Sequence, residues 1–153
     1  MSDLGAFLTA STAGFLLPLF LHFGWIVGLY AALTAARLVV VKRGLAAKND
    51  FARADGDPPL SARLQRNLAN QFEAPPFVWI AAILLILTSN VTAWDIAAAW
   101  VFLIGRIIHT LVQLTGDNVA LRGQVFVINF LGLLWLMSHA FLAVVGIAVP
   151  GMN

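Results

Sequence analysis

Arg63-Leu-Gln-Arg66-Asn-Leu-Ala-Asn70-Gln-Phe-Glu73-Ala-Pro-Pro-Phe77 runs directly into Val78-Trp-Ile-Ala-Ala-Ile-Leu-Leu-Ile-Leu-Thr88. A segment rich in charges and amides thus becomes a wholly apolar one. On a single helix, Arg63, Arg66, Asn70 and Glu73 fall at i, i+3, i+7 and i+10 and share one face. Ionisable side chains entering an apolar span are costly unless they face protein or water, so this stripe is a candidate functional site.

The surrounding chain settles which solvent that span meets. Of 153 residues, 61% are hydrophobic and 10% charged, against roughly 25% charged in soluble domains. The length suits one domain, and the long apolar runs make it an all-α integral membrane protein. There is no cysteine, so disulfides, thiolate metal sites and cysteine nucleophiles are excluded. The formal net charge of +2 is small, and the basic residues gather beside apolar runs, which does not suggest a nucleic-acid partner. Met1-Ser-Asp-Leu has no positive n-region, and the run after it is too long for a signal peptide, so the expectation is that it is retained.

Spans are expected at 7–41, 59–88, 95–114 and 122–149, giving an up-down-up-down four-helix transmembrane bundle. Pro18 should kink the first span or lie near its end. Asp57-Pro-Pro opens the second, and Pro75-Pro76 should kink it just past Glu73. Lys42, Arg43, Lys48, Arg53, Arg63, Arg66 and Arg122 lie on one side of the bundle, with none of their kind in the opposite turns. The positive-inside rule then makes the 44–59 loop cytoplasmic and puts both termini on the opposite side.

Counted from the helix ends, Glu73 lies roughly 22 Å and Arg106 roughly 16 Å into the bundle. Glu73 and Arg106 are therefore expected to form a structural ion pair, within or between subunits. Arg106, His109 and Gln113 make a second stripe, and Arg122 enters from the fourth helix. Together they suit a polar anion whose reaction partner is lipophilic. His22 and His139 stand singly, which favours hydrogen-bonded packing, and no histidine spacing makes a metal site. The small multidrug exporters, also four-helix, place their glutamate in the first helix. Here that helix has no acid between Asp3 and Lys42.

Gly56-Asp-Pro-Pro-Leu60, Arg63-x-x-Arg66-x-x-x-Asn70-x-x-Glu73-x-x-Pro76-Phe77, Gly105-Arg-x-x-His109 and Arg122 resemble, in order and on the expected helices, the membrane-associated proteins in eicosanoid and glutathione metabolism (MAPEG). The chain looks like a bacterial-type member similar to microsomal glutathione transferases. The resemblance implies a homotrimer that binds glutathione between subunits, as co-substrate in transfer to lipophilic electrophiles or in reduction of lipid hydroperoxides. It implies that Arg122 is catalytic and stabilises the thiolate, and that Asn70, Glu73 and His109 hold the tripeptide. Arg66, Gln113 and one first-helix cation (Arg37, Lys42 or Arg43) complete the expected ligand set. Membrane lipids are the remaining expected partner. The sequence departs from the family pattern at Ala69, where members carry another arginine, at Gln113 and Phe126, where eukaryotic members place tyrosines, and at Gly123, where one relative has serine. Ala69, Gln113 and Phe126 motivate the alternative, a non-enzymatic protein of this fold binding a lipid or another anionic ligand.

Overall fold

The computed structural model describes residues 2–53 and 56–147, and the expected end of the last span at 149 lies outside them. Five α-helices occur among these residues: α1 (Ser2–Lys42), α2 (Pro59–Ala69), α3 (Pro75–Leu87), α4 (Ala93–Thr115) and α5 (Val119–Val144). A short 3-10 helix at Lys48–Ala52 shapes the loop before α2. Three segments are long and apolar enough to cross a membrane: Thr12–Lys42, Ala93–Thr115 and Val119–Val144. Pro18 lies inside α1, which continues through it.

The second expected helix is two helices. Pro75 and Pro76 both lack an N–H, so two successive bonds of a continuous ladder are impossible, and their rings would crowd the carbonyls four residues back. The chain responds one turn earlier. The Gln71 N–H donates to Leu68 O at 3.0 Å and the Phe72 N–H to Ala69 O at 2.9 Å, the tighter i→i−3 pattern of a 3-10 turn. The helix resumes with Pro75 and Pro76 at its first positions, where a missing N–H costs nothing. The single stripe expected from Arg63 to Glu73 therefore ends at Asn70. Glu73 lies in the turn and is exposed on the protomer.

Two apolar clusters hold these elements together. Phe15 and Leu19 of α1, Val78, Ala81, Ala82 and Leu85 of α3, Ala99 and Phe102 of α4, and Leu133, Leu136 and Ala140 of α5 form the larger. Leu29, Leu33 and Ala36 of α1 enclose Leu64 and Leu68 of α2 in the smaller. Helices α4 and α5 approach so closely that two glycines are obligatory. A Cβ on Gly105 would lie 2.7 Å from Asn129 N, and one on Gly132 would lie 2.6 Å from Ala98 O. Small residues at such crossings let backbones meet where lipid gives no hydrophobic drive for association. The exterior is correspondingly apolar, with Phe20, Phe23, Ile83, Leu131 and Phe141 all exposed.

A candidate polar site at the helix break

The break between α2 and α3 creates the site. In an unbroken helix the Asn70 carbonyl would accept from residue 74. Here it accepts from Arg106 Nη2 at 2.5 Å. Arg106 also donates through Nε (3.1 Å) and Nη2 (2.9 Å) to Gln71 Oε1. Its guanidinium is fully buried. The ion pair expected with Glu73 is not formed within the protomer: among the described residues no ion pair joins them, because the turn carries Glu73 outward while α4 presents Arg106 inward. A neutral amide and a freed carbonyl take the carboxylate's place.

Gln71 is the hub. A guanidinium can only donate, so the atom of Gln71 facing it must be the oxygen. The same oxygen lies 3.0 Å from His22 Nε2, which must therefore carry the proton. Gln71 Nε2 donates to Asn67 Oδ1 at 3.3 Å. Thr110 Oγ1 donates to the same Asn67 oxygen at 3.0 Å and accepts from Trp25 Nε1 at 3.4 Å. Asn67 Nδ2 donates to Gln113 Oε1 at 2.8 Å, and Asn70 Nδ2 reaches that oxygen at 3.4 Å. One connected network thus joins α1, α2, the break and α4. Buried amides of this kind are tolerated because nearly every polar atom finds a partner.

Among the described residues, three buried side-chain atoms do not find one: Arg106 Nη1, His109 Nδ1 and His22 Nδ1. Arg106 and His109 are one helical turn apart on α4. The His109 ring meets Phe126 of α5 edge-on at 5.6 Å, and Phe126 stacks on Phe130 at 5.8 Å. Arg122, one turn before Phe126, is half-buried, and its guanidinium has no hydrogen bond or ion pair among the described residues. Asn70 is thus joined to Arg106 and to Gln113, and His109, one turn along α4, packs on Phe126, one turn from Arg122.

The other sequence candidates lie elsewhere. Arg37 donates to Asp57 through Nε at 3.0 Å and Nη2 at 2.5 Å, and its guanidinium covers the Phe51 ring at 4.9 Å. It clamps the loop before α2, and the same two bonds hold the Asp57 carboxyl below its usual pKa. Arg63 pairs with Asp117 at 2.6 Å and reaches Leu114 O, tying α2 to the α4–α5 turn. Arg66 is exposed.

Sequence reasoning missed a second polar node at the far end of α4. Asp95 is wholly buried. Its carboxylate accepts from Thr92 N and Oγ1, from Trp135 Nε1 at 3.2 Å and from His139 Nδ1 at 2.9 Å. Thr92 and Asp95 form a capping box, for which a Thr-x-x-Asp spacing is the only local signal. The partners on α5 lie 40 and 44 residues away, which local spacing cannot reveal. His22 and His139 both prove to be hydrogen-bonded packing residues.

Residues 15–142 match the MAPEG family model. The chain belongs to the MAPEG family. No curated protein and no solved structure matches it significantly. The family is membrane-associated, in keeping with the three long apolar helices, so this is a multi-pass integral membrane protein.

Proposed function

We propose that this MAPEG chain is a membrane-bound glutathione-dependent transferase or peroxidase acting on lipophilic electrophiles or lipid hydroperoxides. The observation that carries this reading is the set of unspent polar groups beside Arg122. In a network where almost every polar atom has a partner, Arg106 Nη1 and His109 Nδ1 have none, and the Arg122 guanidinium is uncommitted. The leftover Arg106 N–H, with the Arg122 guanidinium, favours a polar, anionic ligand, since leaving a buried donor unmet costs about 1–3 kcal/mol; His109 Nδ1 adds a donor or an acceptor according to its tautomer.

On this reading α2 and α3 count as one broken span, so the subunit is a four-helix transmembrane bundle. Three subunits assemble, the 44–59 loop faces the cytoplasm, and both termini lie opposite. Glu73, exposed on the protomer, turns toward a neighbouring subunit, where it can meet that subunit's arginine or the ligand's ammonium. Asn70 and His109 hold the tripeptide backbone, and Arg66 meets a carboxylate from the surface side. Arg122 favours the thiolate over the thiol, because a guanidinium stabilises a nearby anion. The thiol proton leaves to water. The thiolate sulfur then bonds to the electrophilic carbon of a substrate arriving from the bilayer, and the leaving group departs with its electron pair.

Glutathione-dependent turnover by the purified protein tests this directly. Wild type should conjugate a lipophilic electrophile, and Arg122→Ala should lose most turnover while still folding. Equal turnover in both proteins would remove Arg122 from the mechanism.

One observation favours a second reading. Gln113 Oε1 is already shared by Asn67 and Asn70, so two of the expected ligand residues are committed inside the protomer. A non-enzymatic protein of this fold, binding a lipid or another anion at Arg122, accounts for that. Thermal shift separates the two readings: glutathione at 100-fold excess over Kd should add about 2.7 kcal/mol, and no shift would favour the non-enzymatic one.

A further inference from the structure

We infer that the turn closing α1 is a docking site for anionic phospholipid headgroups. The inference uses none of Asn70, His109 and Arg122. Helix α1 ends in a tight reversal: the Gly44 N–H donates to Val41 O at 3.0 Å, the Leu45 N–H to Val40 O at 3.1 Å, and Gly44 adopts φ +68°. In this cap the apolar residue after the glycine usually folds back on the last helical turn. Leu45 instead stands 64% exposed.

Next to it in sequence are Lys42, Arg43 and Lys48, all exposed, their side chains without a hydrogen bond or ion pair among the described residues. The nearest described acids are already committed. Asp50 accepts from Ala47 N at 2.8 Å and from Arg53 at 3.1 Å, and Asp57 is held by Arg37. The loop is also packed tightly against itself, since a Cβ on Gly56 would run into the Asp50 carbonyl. The acids cannot readily swing across to neutralise the lysines.

Three cations without a partner among the described residues, flanking one exposed leucine at the end of a membrane-length helix, match one surface above others. The leucine reaches the acyl boundary while the cations meet phosphates. An acidic protein or a nucleic acid would satisfy the charges but leave Leu45 in water.

The full chain, placed in nanodiscs of phosphatidylcholine with a minority of phosphatidylglycerol, gives the test. Native mass spectrometry counts the lipids retained after mild extraction. Wild type should keep phosphatidylglycerol in excess of its bulk share. Replacing Lys42→Gln, Arg43→Gln and Lys48→Gln should cut that preference by about fivefold per cation at low salt. Arg53→Gln, whose guanidinium is committed to Asp50, should leave it unchanged. Added salt should erode the wild-type preference, a readout that survives if the triple variant fails to fold. The proposal is overturned if wild type shows no enrichment, if enrichment ignores salt, or if the triple variant keeps it. It is also overturned if inorganic phosphate displaces the lipid completely, or if the triple variant changes the number of protein copies rather than the lipid complement.

Discussion

Gln71→Leu is the substitution whose cost the geometry defines best. It removes the oxygen that accepts from Arg106 Nε, Arg106 Nη2 and His22 Nε2 at 3.1, 2.9 and 3.0 Å. The guanidinium, fully buried, keeps only the Asn70 carbonyl. Interhelical hydrogen bonds in membranes average about 0.6 kcal/mol, so three of them set a lower limit of about 2 kcal/mol. Stripping one partner from a buried charge costs about 3–5 kcal/mol, which sets the upper one. A loss of about 2–5 kcal/mol should lower Tm by roughly 4–20 °C for a chain of this size. Gln71→Glu gives up the donor to Asn67 but should cost less, because a carboxylate still accepts from Arg106 and His22 and supplies the counter-charge that Arg106 lacks within the protomer. The assay is thermal unfolding of both variants in one detergent, followed by tryptophan fluorescence. If Leu is tolerated as well as Glu, the hub reading is wrong and Arg106 draws its support from elsewhere.

Three further substitutions probe other parts of the fold. Gly105→Ala would force a Cβ to 2.7 Å from the Asn129 backbone, and overpacking of this kind costs about 1–3 kcal/mol. Gly123→Ala, with open space around it, should instead gain about 0.5–1 kcal/mol; comparing the two melting points checks the α4–α5 contact. At the loop, Arg37 holds the Asp57 carboxyl below its usual pKa. The stability this pair contributes is therefore present above the ordinary value of about 3.9 and is lost as pH falls through the depressed folded value. Asp57→Asn should flatten that acid limb of a Tm-against-pH curve, whereas an unchanged limb would assign it to another group.

Much of this architecture could be read from residue types in order. The α4 and α5 helices fall at Ala93–Thr115 and Val119–Val144, against expected spans of 95–114 and 122–149, because long apolar runs with turn signals between them leave few alternatives. The break before Pro75 was harder to read. One proline in a helix kinks it, but two in succession abolish consecutive bonds, and the backbone unwinds at Gln71 and Phe72 rather than bending at the prolines. That difference turned Glu73 away from Arg106. The reading of the stripe also followed charge, and so passed over Asn67 and Gln71, whose neutral amides carry the network. Their importance comes from helices that meet only in three dimensions, as do Asp95 with His139 and Arg37 with Asp57. Arg106 and His109 were legible because a cation and an imidazole one turn apart in an apolar run have few inexpensive explanations.

The central claim is that Arg122 and its neighbours bind a thiol peptide and ionise it. Ultraviolet absorbance of the thiolate, followed against pH with glutathione and an excess of purified protein, reads this without requiring the electrophile to be known. The account predicts ionisation of the bound thiol at least about one unit below the free value near 8.5, with a return toward that value in Arg122→Ala. Ionisation at the free value in wild type, or the same lowered value in both proteins, would contradict it.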